Sequence, residues 1–180
     1  MKKKIVFLLL FVSFAHYGFG QIEVAHISVK DFKAIGFSGF LNFSLPVSEA
    51  NYLTVEGGLQ YFQKDPESVG LFPVLLGYRY TLDGSGWGLY AEPFGGHSFG
   101  GTTMYVYENN SPVADAEGNF VYEKVAGPTG GVGVGYLFEP GRSVQFNVAL
   151  RYSHTFAPAA ANLFSLRLSH AFSFRRRDAY

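Results

Sequence analysis

Hydrolytic chemistry at neutral pH needs a base that titrates there, set beside a hydroxyl or thiol, and this chain of 180 residues has five histidines and no cysteine. His97 precedes Ser98, and His154 lies in Ser153-His154-Thr155-Phe156, with Glu92 and Glu108 as acids available to orient a base. Adjacent residues of a strand point to opposite faces, so His97 and Ser98 cannot share a proton there. That leaves His154 with a neighbouring hydroxyl as the enzymatic reading. His26 and His170 fall on separate segments without metal-ligand spacing, and thiolate zinc sites are excluded, so neither metal nor cofactor is expected. Gly127-Pro-Thr-Gly-Gly-Val-Gly-Val-Gly135 looks like a phosphate cradle only in composition. It lacks the Lys-Ser/Thr and the helix of a P-loop, and its alternation with Val132 and Val134 marks a strand.

The other carriers of chemistry are charges, and what they can do depends on the elements that hold them. The dominant pattern has period two. Ile35, Phe37, Leu41, Phe43 and Leu45 alternate with Gly36, Ser38, Asn42 and Ser44, with Phe40 interrupting the polar set. Leu53, Val55, Leu59 and Tyr61 oppose Thr54, Glu56, Gly58 and Gln60; Phe72 to Leu82 oppose a set containing Gly77 and Arg79. The same design recurs at Trp87–Glu92, at 131–138, at 144–153 and at 164–174, giving seven strands. Residues 22–29 form an eighth, although either register leaves a polar residue on each face.

Composition narrows the class. With 48% hydrophobic, 18% aromatic and only 16% charged residues, and with 22 glycines, the chain is neither a disordered tail nor a coiled coil. Lys2, Lys3 and Lys4 precede an apolar run from Ile5 to Ala15, and Gly18-Phe19-Gly20 offers small residues for a peptidase; residues 1–20 read as a cleaved signal peptide and 21–180 as the mature domain. The mature chain then has 11 basic and 14 acidic residues, a net charge of −3, which gives no case for nucleic acid. No later run is long enough for a membrane helix.

Turn formers cross from Leu45 to Asn51, from Leu82 to Trp87 and from Phe138 to Ser143, whereas a long insert spans about 100–124. An even strand count with short turns on one rim and a long loop on the other is the layout of an eight-stranded antiparallel up-and-down transmembrane β-barrel. A soluble lipocalin-like barrel would bury the apolar face. Here the polar face is built mainly of Gly, Ser, Thr and Asn, too small for an outside, so the bulky face is expected to meet lipid. Aromatics near strand ends, including Tyr61, Phe72, Tyr80, Trp87, Phe138, Tyr152, Phe156 and Phe164, suit interfacial girdles.

On this layout the whole mature chain resembles the small Gram-negative outer-membrane β-barrels of the OmpA/OmpX type. The resemblance implies residence in the outer membrane, with lipid and lipopolysaccharide as neighbours and both termini in the periplasm. The segment Leu166, Leu168, Phe172, Phe174 resembles the terminal signal read by the outer-membrane assembly machinery, with either Phe174 or Tyr180 as its last aromatic. Outer-membrane lipid A deacylases are similar small barrels carrying His-x-Ser on a late strand; here His154 lacks a serine two residues on, which puts the nucleophile in doubt.

Two regions remain for function. Glu56, Arg79, Glu92, Arg151 and Arg167 project to one interior and are expected to form an ion-pair network that blocks the lumen, because charges out of bulk water must be paired. The loop is read as a hairpin presenting Tyr105, Tyr107, Glu108, Asp115, Glu117, Phe120 and Tyr122, with a strand edge open to a protein or other ligand by β-augmentation. The expected role is non-enzymatic: envelope support or binding through this loop. A lipid A-modifying enzyme and a soluble binding barrel are the alternatives.

Overall fold

The structure, a computed structural model, describes residues 20–108, 111–138 and 145–171. Residues 1–19 of the expected signal peptide, and Phe172, Phe174 and Tyr180, lie outside these residues, whereas Gly20, its expected last residue, pairs with Leu41 at the start of the first strand. Among the described residues there are ten strands: β1 (Gly20–Val29), β2 (Phe32–Pro46), β3 (Asn51–Lys64), β4 (Glu67–Thr81), β5 (Gly88–Thr102), the two-residue β6 (Tyr107–Glu108) and β7 (Ser111–Pro112), β8 (Gly127–Leu137), β9 (Gln145–Thr155) and β10 (Ala161–Ala171). Eight of them close a barrel in the order β1-β10-β9-β8-β5-β4-β3-β2, antiparallel at every seam; β6 and β7 pair in the loop. Residues 22–29 are therefore the eighth barrel strand, sealed between β2 and β10. Closure gives each barrel strand a hydrogen-bonded neighbour on both sides.

The faces fall as the alternation predicts. Ile35, Phe37, Leu59, Leu76, Val134, Leu150, Phe164 and Leu168 are exposed on the outer wall, while Ser38, Asn42, Glu56, Arg79, Arg151 and Ser165 are buried inside. Tyr61, Phe72, Tyr80, Phe138, Tyr152, Phe156 and Phe164 all face outward. Trp87 differs from its expected girdle position: it packs against the inward Tyr90, Leu137 and Ala149. An indole at a strand end serves lining or lid equally well, and here the turn after β4 folds it under the barrel.

Strand β5 also differs, running ten residues beyond Glu92 to Thr102. Gly95, Gly96, Gly100 and Gly101 carry no side chain, so alternation is invisible across them. The turns depart from expectation as well. On the rim that bears the long loop, β1–β2 and β3–β4 are joined by two residues each, shorter than the connections 47–50 and 82–87 on the terminal rim. The asymmetry between rims rests on one loop.

Inward glycines set the barrel's filling. On β8, a Cβ at Gly131 would lie 2.6 Å from the Phe94 ring, one at Gly133 3.2 Å from the Arg151 stem, and one at Gly135 2.6 Å from the Tyr90 ring. Three alternating glycines thus give one wall over to three large side chains from β5 and β9.

Candidate functional site

The lumen is layered. Its middle is a charge lattice of three arginines and three glutamates. Arg167 donates from Nε to Glu23 Oε2 at 2.9 Å and from Nη1 to Glu56 Oε1 at 2.7 Å and to Gln21 Oε1 at 2.6 Å. Arg151 Nη1 donates to Glu56 Oε2 at 2.7 Å, and Asn42 Nδ2 donates to Glu56 Oε1 at the same distance. Arg79 Nε donates to Glu92 Oε2 at 2.7 Å, with Thr54 Oγ1 donating to Glu92 Oε1 at 3.0 Å. All six charged side chains are buried. Aromatic faces cover the guanidinium groups: Tyr90 under Arg79 at 4.6 Å, Phe94 under Arg151 at 3.9 Å and Phe40 under Arg167 at 4.4 Å. That contact explains why Phe40 interrupts a polar face.

The five charges singled out in the sequence all project into this lumen, as two clusters: Arg79 with Glu92, and Glu56 with Arg151 and Arg167. Sequence reasoning missed Glu23, the third carboxylate. Its signal was the polar half of residues 21–25, obscured because β1 changes character midway. Gln21 and Glu23 face the lattice, whereas Ala25, Ile27 and Val29 face an apolar layer above it.

That layer was not expected from a polar inner face. Near the loop rim, Ile27, Val29, Phe32, Phe62, Val69 and Leu163 fill the lumen, and the loop adds Met104 and Val125. The loop, spanning 103–126, is therefore partly core. It is tied to two other turns and to the start of β4: Ala159 N donates to Lys124 O, Lys30 pairs with Glu123, and Thr103 N donates to Ser68 O.

The outer part of the loop presents the expected residues. Tyr105 stacks on Tyr122 and meets Phe120 edge-on, each at 5.2 Å between ring centres. Tyr107, Glu108, Asp115, Glu117, Phe120 and Tyr122 are exposed. Asp115 Oδ1 accepts the backbone N–H groups of Glu117 and Asn119, and these bonds, that of Asn119 first, hold its carboxyl below the usual range. The open strand edge expected here is closed at its centre. Val106 N–H donates to Val121 O, Val121 N–H to Val113 O, and Val113 N–H to Val106 O, a cycle that consumes the groups β-augmentation would use. Because Met104 O accepts from Glu123 N at 2.9 Å, replacing 105–122 by an Asn-Gly turn should leave the barrel folded, as checked by heat-modifiable gel mobility. Including Met104 in the deletion would remove part of the core.

The loop rim carries seven acids (Asp31, Asp65, Glu67, Glu108, Asp115, Glu117, Glu123) against Lys30, Lys33, Lys64 and Lys124. Among the described residues the lumen is balanced at three arginines to three glutamates, whereas this rim has an acidic excess of three.

The enzymatic candidates separate. Ser98 is buried inward while His97 faces out against Phe99. Ser153 and Thr155 line the lumen, and His154, on the opposite face of β9, places Nδ1 2.9 Å from Asn162 Oδ1, which also accepts from the Tyr152 hydroxyl at 2.8 Å. Neither hydroxyl flanking His154 in sequence can reach it. Among the described residues no group of His, Asp and Glu has metal-site geometry. Leu166 and Leu168 of the expected assembly signal face outward on β10.

No protein-family model and no curated protein matches this sequence. Solved structures do. Neisserial surface protein A is similar over 84% of this chain and 90% of its own, with a TM-score of 0.57 at 16% identity. Ail, the attachment invasion locus protein of Yersinia pestis, is similar over 86% of this chain and 98% of its own, with a TM-score of 0.52 at 9% identity; a second Ail structure, in complex with the heparin analogue sucrose octasulfate, gives 0.51. The chain has the fold of the small eight-stranded outer-membrane barrels. In such a barrel an apolar outer wall and a filled, charge-paired lumen follow from one alternation, read on its two faces.

Proposed function

We propose that this chain is a non-enzymatic outer-membrane barrel with a closed lumen, supporting the envelope or binding a partner through its loop rim. The observation that carries the reading is the lumen itself: a balanced lattice of six buried charges capped by an apolar layer in which the loop takes part. An aqueous conduit needs room and polar walls along its whole length, and eight strands enclose an interior that side chains just fill. The apolar wall favours a lipid setting over a soluble binding barrel. In this setting the termini are periplasmic and the loop faces outward, with lipopolysaccharide and membrane lipid as neighbours. Catalysis is disfavoured by the inward turn of Ser153 and Thr155 away from His154. The rim's net charge of −3 sets it apart from a surface for polyanions.

Membrane fractionation followed by planar-bilayer recording tests this. The protein should fractionate with the outer membrane, show heat-modifiable mobility and give no steady conductance. Soluble periplasmic recovery, or a large stable conductance, overturns the reading. Mass spectrometry of lipid A should show the same acylation with and without the protein.

A further inference from the structure

Between the ionic lattice and the apolar cap lies a chamber of about 20 Å³, lined in part by Ser98, Thr129, Ser153, Thr155, Ser165 and Arg151. Its hydroxyls form a chain. Thr129 Oγ1 donates to Ser98 Oγ at 2.8 Å and lies 2.9 Å from Thr155 Oγ1. Thr129 Oγ1 also lies 3.3 Å from Gly127 O; with its one proton on the shorter bond to Ser98, Thr129 accepts from Thr155, and the Ser98 proton remains to be donated onward. Arg151 supplies the second donor. Its Nη1 is engaged by Glu56, but its Nη2 is buried and has no hydrogen-bond partner among the described residues, although the side chain is only 6% exposed. An unpartnered charged donor in such a place is costly.

What the chamber can take follows from size, donors and charge. A cavity holds a water once it offers about 10–15 Å³, provided two to four polar partners are present. This one meets both conditions. An anion would also accept from Arg151 and Ser98, but the lattice is already balanced at three arginines to three glutamates, and Glu23 lines the same chamber. A neutral ligand that accepts and donates fits without adding charge.

We propose that this chamber is a built site for one buried water molecule, held by Arg151 Nη2 and the hydroxyl chain Ser98–Thr129–Thr155. The site completes the lattice and stands whether or not the loop binds a partner. A crystal structure of the refolded mature protein grown in bromide provides the test. The expected result is an oxygen peak without anomalous signal, within hydrogen-bond distance of Arg151 Nη2. Thr129→Val, which removes the central hydroxyl at constant shape, should weaken that peak and lower the melting temperature by about 2–4 °C. An anomalous bromide peak in the chamber would make it an anion site and overturn the proposal. So would a chamber without density in which Nη2 has turned onto a protein oxygen. The wild-type crystal decides even if the variant does not refold.

Discussion

Glu56→Ala is expected to destabilise the barrel by about 3–5 kcal/mol, the usual cost of removing one partner of a buried ion pair. Glu56 is 2% exposed and is the only glutamate of the lattice shared by two arginines, accepting from Arg151, Arg167 and Asn42. Alanine would leave the Arg151 guanidinium without any carboxylate partner and Arg167 with Glu23 alone. The low dielectric that strengthens these pairs is what makes an unpaired charge expensive there. Denaturant unfolding of the refolded protein in lipid vesicles, followed by gel mobility, measures the loss. Glu56→Gln retains an acceptor and should fall between wild type and alanine. Lys30→Ala removes an ion pair of another kind, since Lys30 is 55% exposed, and should cost less than about 1 kcal/mol. Equal costs for Glu56→Ala and Lys30→Ala would mean that water reaches the lattice.

Gly131→Val is expected to abolish recovery of the folded barrel. The added Cβ would overlap the Tyr152 carbonyl oxygen, part of the paired strand β9, and would sit 2.6 Å from the Phe94 ring. The carbonyl cannot withdraw without breaking the β8–β9 seam, and the ring lies 3.9 Å from the Arg151 guanidinium, so its movement disturbs the lattice. Gly57→Val is the matched control, because a Cβ there meets nothing within 4 Å. Refolding yield by gel mobility should separate the two completely; equal yields would show that the wall yields where the packing says it cannot.

The fold was legible because lipid outside and side chains inside impose opposite chemistry on alternate residues. Phe37 and Ser38, or Leu150 and Arg151, announce their faces by type alone. What stayed hidden has physical causes. Glu23 belongs to a strand whose inner face turns from ionic to apolar within ten residues, so no single register looked right. The apolar cap uses Ile27, Phe62 and Leu163, residue types that elsewhere mark the outside. The extent of β5 is masked by glycine, and the role of Met104 depends on a loop folding back into the mouth, which no local pattern encodes. For the same reason the closed backbone cycle at Val106, Val113 and Val121 could not be read from a hairpin pattern.

The pairing of β1 with β10 has a consequence in time. Arg167 reaches Glu23 across 144 positions and Glu56 across 111, so these two ionic contacts do not exist until β10 has met β1 and the barrel has closed. Before that seam forms, Glu23 and Glu56 have no Arg167 to meet, and β1 has no neighbour on one side. Contacts so distant form late and cooperatively. The lattice is thus a proof of closure: an open sheet must keep Glu23 and Glu56 in water, and only the closed barrel can bury them paired.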